Sequence, residues 1–257
     1  MLKNKKGIVF GIANDHSIAW GIAKKLNENG AELAITYQNE SLLKRVEPLA
    51  KKLNSNLLLE CDFNKEGSLE NTIKQITSKW DNIDFIIHAV AFSDKNELNG
   101  RYIETTKQNF INSLNVSCYS FTKIAKLAQP FMKSGGSLIT LSFYGSSKVM
   151  PNYNVMGVAK AALETSVKYL SVDLGSQDIR VNAISAGPMR TIAGAAIANA
   201  RDVYKFTEVN SSLKRNVLLE ELGNSALYLV SDLSSAVTGE IHYVDCGFNI
   251  VGMPKIK

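Results

Sequence analysis

Short, nearly continuous apolar runs alternate with amphipathic stretches along the whole chain. Strands that lie in a parallel sheet with both faces covered have this pattern, because neither face of the strand meets water. The predicted strands are residues 7–10, 33–37, 57–61, 84–88, 136–141, 180–184 and 241–244.

The stretches between these runs show helical periodicity. The predicted helices are residues 17–29, 40–53, 68–80, a long helical region at 106–132, a helix around Tyr153 and a helix at 220–231. Alternating strands and helices with right-handed crossovers predict an α/β fold, a doubly wound parallel sheet of Rossmann type with helices on both faces. No repeat, linker or low-complexity segment interrupts the pattern, so residues 1–257 are predicted to form a single domain.

Composition narrows the class of protein. The apolar content of 45% is ordinary for a soluble globular chain. The net charge is +5, and the basic residues are scattered among acidic ones instead of forming a patch. This argues against a nucleic-acid partner and leaves only a weak attraction toward an acidic protein or a phosphorylated substrate.

Cys61, Cys118 and Cys246 are odd in number, far apart and without a CxxC pair. This usage favours a reducing cytoplasm over a disulfide framework or a structural zinc, and no His/Asp/Glu cluster has metal-ligand spacing. The apolar run at residues 8–10 is too short for a signal peptide, and no segment is long enough to span a membrane. We therefore expect a cytoplasmic protein without a metal.

The first strand-to-helix junction has features of a phosphate-binding loop. Gly11 leaves the strand, small residues such as Ala13 line the turn, and Ser17 is a candidate N-cap of the next helix. Such a junction directs backbone N–H groups and the positive helix end at a pyrophosphate. The usual GxGxxG pattern is absent, because Ala13 replaces the second glycine, so a plain capped helix is an equally good interpretation.

The ends of the next strands bear on which dinucleotide would bind. The segment TYQNE, which ends at Glu40, has no Arg or Lys for a 2′-phosphate, so NADH is favoured over NADPH, although Lys44 and Arg45 follow one helical turn later. Asp62 can accept from an adenine amine or simply cap its loop. His88 precedes three small residues, and we interpret it as a packed, hydrogen-bonded side chain rather than a catalyst.

Tyr153 and Lys160 are seven positions apart in the stretch PNYNVMGVAK. If the stretch is helical, seven residues turn the chain by about 700°, so both side chains leave nearly the same face, roughly 10 Å apart along the axis. The ammonium would favour the phenolate and could also hold a cofactor hydroxyl. By itself such a pair is usually part of an ordinary amphipathic helix, and only the rest of the chain favours a catalytic role.

Together these motifs resemble a known family. The segments are GIANDHSIAWGIA, TYQNE, PNYNVMGVAKAALE and RVNAISAGPMRT, with the strand end at His88. They resemble the bacterial NADH-dependent enoyl-acyl-carrier-protein reductases, a divergent branch of the short-chain dehydrogenases. The resemblance extends from about Lys6 to Val251, and its most specific feature is Tyr-x6-Lys, since ordinary short-chain dehydrogenases carry Tyr-x3-Lys.

The resemblance implies reduction of the trans-2 double bond of an enoyl thioester on acyl-carrier protein, with NADH as reductant, by a homotetramer. It implies that Tyr153 donates to the thioester oxygen, where charge develops, while Lys160 holds the nicotinamide ribose and biases Tyr153 electrostatically. The implied cofactor contacts are Gly11, Ala13, Ser17, Ile18, Gln38, Asp62, Phe63, Ala89, Val90, Ala91, Lys160, Met189, Arg190, Thr191, Ile192 and Ala193. The implied substrate contacts are Ser93, Phe143, Tyr153, Met156, Ala195 and Ala196.

Residues 191–200 are uncharged and mostly small. Composition alone favours a core helix, whereas the resemblance implies a substrate-covering loop near 191–210, with Gly194 allowing it to order and disorder. The sequence departs from the family at Phe143, where many members carry a second tyrosine, so we expect Phe143 to be a pocket wall beside Tyr144. Cys246 replaces a common glycine, and Ser212 a common proline.

Two alternatives remain open from sequence. A ketone-reducing short-chain dehydrogenase would use the same Tyr and Lys with a serine about a dozen residues earlier, and Ser142 is eleven residues before Tyr153. A non-catalytic NAD(H)-binding regulator would keep the cofactor loop without turnover.

Overall fold

Seven parallel strands form one sheet in the computed structural model, which describes residues 1–253. The strands are β1 (Lys6–Phe10), β2 (Glu32–Tyr37), β3 (Leu57–Glu60), β4 (Phe85–His88), β5 (Gly136–Ser142), β6 (Ile179–Ala186) and β7 (Ile241–Val244). Every predicted strand is present with ends shifted by at most two residues. Together with the helices on both faces, this confirms the predicted doubly wound α/β fold.

The order across the sheet is β3-β2-β1-β4-β5-β6-β7. The chain runs outward from β1 in one direction through β2 and β3, and in the other through β4 to β7. The carboxyl ends of β1 and β4 therefore flank the point where strand order reverses, which is where open α/β sheets form their ligand crevice.

Helices fill the connections between the strands. They are α1 (Ile18–Glu28), α2 (Glu40–Lys52), α3 (Ser68–Thr77), α4 (Lys107–Leu114), α5 (Ser120–Ala128), α6 (Val155–Gly175), α7 (Ile192–Ala195), α8 (Ala200–Asn210) and α9 (Leu219–Val230). No helix among residues 1–253 combines the length and the apolar character needed to cross a membrane.

Two hydrophobic clusters cover the two faces of the sheet. Val9 packs into the cluster formed with α1, α2 and α9, whereas its neighbours Ile8 and Phe10 pack into the cluster formed with α3, α5 and α6. Because successive residues of β1 face opposite clusters and both clusters are buried, the strand is apolar at each of residues 8–10.

The predicted helical region at 106–132 is not one helix. α4 and α5 are separated by a π turn at Asn115–Tyr119, and a short 3₁₀ turn follows α5. In the π turn, the Ser117 hydroxyl accepts from the N–H of Phe92 and donates to its carbonyl oxygen. Ser120, just after the turn, is hydrogen-bonded to the His88 ring. Periodicity did not predict this interruption, because the turn is accompanied by contacts with distant residues rather than by a local Gly or Pro.

Candidate active site

Gly11 lies at the carboxyl edge of the sheet, in a position that only glycine can occupy. Gly11 follows β1 with a φ of +104°, and a Cβ built on it would lie 2.1 Å from the carbonyl oxygen of Ala89, which follows β4. Only glycine tolerates both the conformation and the contact. This close approach leaves the mouth of the crevice lined by backbone.

Ser17 does not cap α1 with its side chain, although it occupies the N-cap position. Its Oγ accepts from the N–H groups of Ala13 (3.1 Å) and Asn14 (3.0 Å), so it stabilises the preceding loop instead. The N–H of Ala13 is therefore engaged by Ser17 in this structure, and the cofactor contact that the resemblance implies for Ala13 stays a prediction. The N–H groups of Ile18 and Ala19, at the positive end of α1, have no hydrogen-bond partner within residues 1–253, and they remain available for an anion.

The ends of β2 and β3 are joined through Asp62. Its Oδ1 accepts from the Asn64 N–H (3.0 Å) and from Nε2 of Gln38 (3.3 Å), while its own N–H donates to Ser68 Oγ (2.9 Å). The loop-capping interpretation of Asp62 is therefore correct. Its Oδ2 has no partner in the described part of the chain, so a role toward an adenine amine is compatible with this geometry.

His88 is fully buried and hydrogen-bonded at both ring nitrogens, as we predicted for a packed histidine. Its Nδ1 lies 2.8 Å from Thr140 Oγ1, and its Nε2 lies 2.8 Å from Ser120 Oγ. Because the Ser120 hydroxyl donates to Val116 O, Nε2 carries the proton. Burial, with a further contribution from Lys160, lowers the pKa of His88 to about 3, so it stays neutral and serves the structure. The ring of Phe63 packs edge-on against it at 6.2 Å.

Tyr153 lies before α6 and not within it, because α6 begins at Val155. The two residues on either side, Asn152 and Asn154, have left-handed φ values of 60° and 41°. Only Lys160 belongs to the helix, so the predicted helical spacing does not place Tyr153 and Lys160 on one helix face.

The Tyr153 ring is held by tight packing and is 8% exposed. Phe143 meets it edge-on at 5.0 Å, which agrees with Phe143 as a pocket wall, and Leu98 and Met156 pack in the same cluster. A Cβ on Gly145 would come within 2.5 Å of the Tyr153 ring, so glycine is needed for this contact. The Tyr153 hydroxyl has no hydrogen-bond partner among the described residues.

The pKa of Tyr153 is raised above its ordinary value, first by burial and then by the charge of Glu164. We expected Lys160 to bias this phenol toward the phenolate, but the shift has the opposite direction. Tyr153 therefore holds its proton at neutral pH and can donate a hydrogen bond.

Lys160 is 5% exposed, and its Nζ donates to the carbonyl oxygen of Leu141 at 2.7 Å. Burial lowers its pKa to about 8, and nearby Cys118 and Glu164 oppose that effect. The ammonium is therefore mostly charged at neutral pH but close to titration, which is typical of lysines at functional sites.

Glu164 is a site residue that sequence analysis missed. It accepts from Ser142 Oγ (2.5 Å) and Ser146 Oγ (2.6 Å), and its charge acts on both Tyr153 and Lys160. The only signal in the sequence was its position four residues after Lys160 on the same helix. The single hydroxyl proton of Ser142 is directed at Glu164 in this structure.

The segment after β6 is not a core helix. Ala193, Ala195 and Ala196 are exposed, and Ile197 packs against the Tyr153 cluster. Thr191 Oγ1 accepts from the Gly194 N–H (2.9 Å) and so caps α7, while Arg190 stacks over the Tyr204 ring at 4.5 Å.

Other predicted residues have structural partners of their own. The Ser93 hydroxyl is engaged by the Asn109 side chain in both directions. Cys246, at a position where glycine is common, has a left-handed φ of 58°. Within residues 1–253, no three His, Cys, Asp or Glu side chains are grouped to hold a metal ion.

Comparison with known proteins decides the family. A family profile described as "Enoyl-(Acyl carrier protein) reductase" matches residues 11–249. The chain belongs to this reductase family. The profile spans every part of the site described above, from Gly11 to the residues after β7.

Three relatives of this reductase illustrate the match. The enoyl-[acyl-carrier-protein] reductase [NADH] 2 of Rhizobium meliloti is 56% identical over 257 residues, which cover 100% of this chain and 96% of the relative. A crystal structure of the Anaplasma phagocytophilum reductase in complex with NAD has a TM-score of 0.96 and 53% identity, covering 99% of this chain and 97% of that one. The Bacillus cereus reductase with NADP+ and indole naphthyridinone has a TM-score of 0.96 and 41% identity, with 98% and 99% coverage.

Proposed function

We propose that this chain is an NADH-dependent enoyl-[acyl-carrier-protein] reductase, which reduces the trans-2 double bond of an enoyl thioester during fatty-acid elongation. The observation that carries the proposal is the Tyr153 hydroxyl, protonated and without a protein partner in the described residues, beside the cofactor crevice of a chain that belongs to this family. Relatives of that name align over the whole chain.

The residues present fit a nicotinamide dinucleotide. The N–H groups of Ile18 and Ala19, in the turn that Gly11 begins, would bind a pyrophosphate, and Asp62 Oδ2 would accept from the adenine amine. The Lys160 ammonium would donate to the ribose hydroxyls, either in place of its hydrogen bond to Leu141 O or in addition to it. When bound, the cofactor supplies a hydride to the β-carbon of the substrate.

Tyr153 acts on the charge that develops at the substrate. Addition at the β-carbon moves negative charge to the thioester oxygen, and the Tyr153 hydroxyl donates a hydrogen bond there. Since the Phe143 and Gly145 contacts fix the ring, the donor is in place before the charge appears, which is the arrangement that lowers a barrier most. Glu164 helps to keep the phenol protonated.

The surroundings of the adenosine end favour NADH over NADPH. The pKa of the Tyr37 phenol at the end of β2 is raised by burial and then by the carboxylates of Glu60 and Glu40, so the local charge is negative. A 2′-phosphate at this edge would meet that charge. The NADP+ complex of the Bacillus cereus relative makes a direct comparison of the two cofactors necessary.

The test is loss of NADH absorbance with a short trans-2-enoyl thioester. We expect turnover with this substrate, none with a 3-oxoacyl thioester, and a kcat/KM with NADPH at least about tenfold lower, the effect of a like-charge penalty near 1.4 kcal/mol. Turnover with the 3-oxoacyl substrate alone would support a ketoreductase. NADH binding without any turnover would support a non-catalytic regulator and end the enzyme proposal.

We also propose that the single domain of residues 1–257 covers its substrate with the segment near 191–210. Substrate would arrive on acyl-carrier protein, an encounter for which the +5 charge of the chain is mildly favourable. The unpaired cysteines of the described chain suit a cytoplasmic location.

The proposed assembly is a homotetramer. Large apolar side chains are exposed along α6, where Tyr169 is 72% and Val172 80% accessible, and on α4 and the π turn at Ile111 and Tyr119. Such surface is typical of self-association. Sedimentation equilibrium is expected to give four times the chain mass of 28.2 kDa, and a monomer would contradict the proposal.

A further inference from the structure

Two asparagines enclose Tyr153 in an unusual piece of backbone. Asn152 and Asn154 both have left-handed φ values, of 60° and 41°. Asparagine tolerates the αL well better than most residues, but Asn154, with a ψ of −125°, lies outside that well. Two residues with positive φ around one side chain therefore cost energy and persist only where the surroundings fix them.

The side chains of both asparagines reach away from Tyr153 to different loops. Asn152 Nδ2 donates to the carbonyl oxygen of Ala198 at 3.1 Å, in the segment 191–199. Asn154 Nδ2 donates to Glu97 O at 3.0 Å and to Gly100 O at 3.5 Å, in the segment 94–100. The residue before Tyr153 is thus hydrogen-bonded to the 191–199 segment, and the residue after it to the 94–100 segment.

The two loops also meet each other over the tyrosine. The Ala198 N–H lies 3.4 Å from Leu98 O, and Leu98 packs in one cluster with Tyr153 and Met156, against which Ile197 rests. A displacement of the 191–199 segment therefore pulls on the backbone that orients the Tyr153 hydroxyl.

We propose that Asn152 and Asn154 are positioning residues that couple the ordering of residues 191–199 and 94–100 to the orientation of the Tyr153 hydroxyl. The proposal rests on the function proposed above. The hydrogen bond from Asn152 to Ala198 O holds the 191–199 segment and also the backbone next to Tyr153. A substrate enclosed by that segment therefore meets a Tyr153 hydroxyl that is already oriented.

The test separates the side-chain bond from the backbone conformation. Asn152→Gly keeps the left-handed backbone and removes the donor, and Asn152→Asp keeps the shape but cannot donate to a carbonyl. Asn54→Gly is the matched control, because Asn54 also has a left-handed φ (51°) and lies at the end of α2, far from the site. Asn154→Gly addresses the other loop.

Hydrogen exchange of the cofactor-free protein gives the first readout. We expect amides of residues 191–199 to exchange about 3- to 10-fold faster in both Asn152 variants, the effect of one lost hydrogen bond, and those of 94–100 to do so in Asn154→Gly. Asn54→Gly is expected to leave both segments unchanged. Unchanged exchange at 191–199 in the Asn152 variants overturns the proposal.

Kinetics with the enoyl thioester give the second readout. We expect Asn152→Gly and Asn152→Asp to raise KM and lower kcat by about 3- to 10-fold each, with NADH affinity unchanged. Faster exchange with unaltered kinetics would show that the bond does not reach Tyr153 and would overturn the coupling. Because exchange is measured without substrate, inactivity of the unmodified enzyme would end the proposed function while the exchange result still decides whether the tether exists.

Discussion

Replacement of Tyr153 by phenylalanine is expected to lower kcat by about 10²- to 10³-fold, the usual cost of losing one donor to a developing oxyanion. The interaction with the thioester oxygen is made mainly in the transition state, so kcat and kcat/KM should fall together while KM and NADH affinity stay nearly constant. Stopped-flow or steady-state loss of NADH absorbance measures these constants.

Folding is not expected to change in this variant. The Tyr153 hydroxyl has no hydrogen-bond partner within residues 1–253, and its ring contacts with Phe143 and Gly145 do not involve the oxygen. The thermal midpoint should therefore remain within a few degrees, corresponding to less than about 1 kcal/mol. A large loss of stability would mean that the lost activity reports unfolding.

Tyr144→Phe is the matched control. It removes the same oxygen from the neighbouring phenol, which packs against Phe248 and not against Tyr153. We expect its kcat to be nearly unchanged. If Tyr144→Phe were as damaging as Tyr153→Phe, or if Tyr153→Phe retained most of its activity, the assignment of the donor to Tyr153 would be wrong.

The sheet could be predicted because its physics is local. Continuous apolar runs bounded by Gly and polar residues specify strands buried on both faces, and Val9 and Ile8 indeed face opposite clusters. The structural interpretation of His88 was also accessible, since a lone histidine at the end of an apolar strand is normally satisfied by neighbours.

The details of the site depend on contacts between distant residues. Glu164 is bonded to Ser142 and Ser146, which are 22 and 18 residues away, and no periodicity reveals such a pairing. The Ser17 hydroxyl could accept either from the N–H groups of the helix that follows or from those of the loop that precedes it, and only the fold selects the second. For Tyr153 a local signal did exist, because Asn residues after a proline favour turns, but the helical spacing of Tyr and Lys obscured it.

Replacement of Lys160 by methionine is expected to weaken NADH binding while leaving the stability of the fold nearly unchanged. The side chain keeps its length but loses an ammonium that would hold the cofactor ribose, so the NADH dissociation constant should rise about 10- to 100-fold, the value of hydrogen bonds from a charged donor. Fluorescence titration with NADH measures it. Lys160→Arg keeps the charge in a larger group and should rescue binding only in part.

Stability should respond differently to the same change. Removing the buried ammonium removes the desolvation cost that lowers the pKa of Lys160 to about 8. Losing its hydrogen bond to Leu141 O lowers the free energy of unfolding by a similar amount, so the two effects nearly cancel. The thermal midpoint of Lys160→Met should therefore stay close to that of the unmodified protein, so that weaker binding cannot be attributed to unfolding.

The pH dependence provides the decisive comparison. Above pH of about 8 the Lys160 ammonium loses its proton, so NADH binding by the unmodified protein should weaken progressively between pH 7 and 9.5, while Lys160→Met should bind weakly at every pH. His88, with a pKa of about 3, and Cys61, with a pKa raised by burial to about 11, do not titrate in this range. If binding by the unmodified protein is independent of pH and equal to that of Lys160→Met, Lys160 does not hold the cofactor. Its burial beside Leu141 O would then serve only the packing of α6 on the sheet.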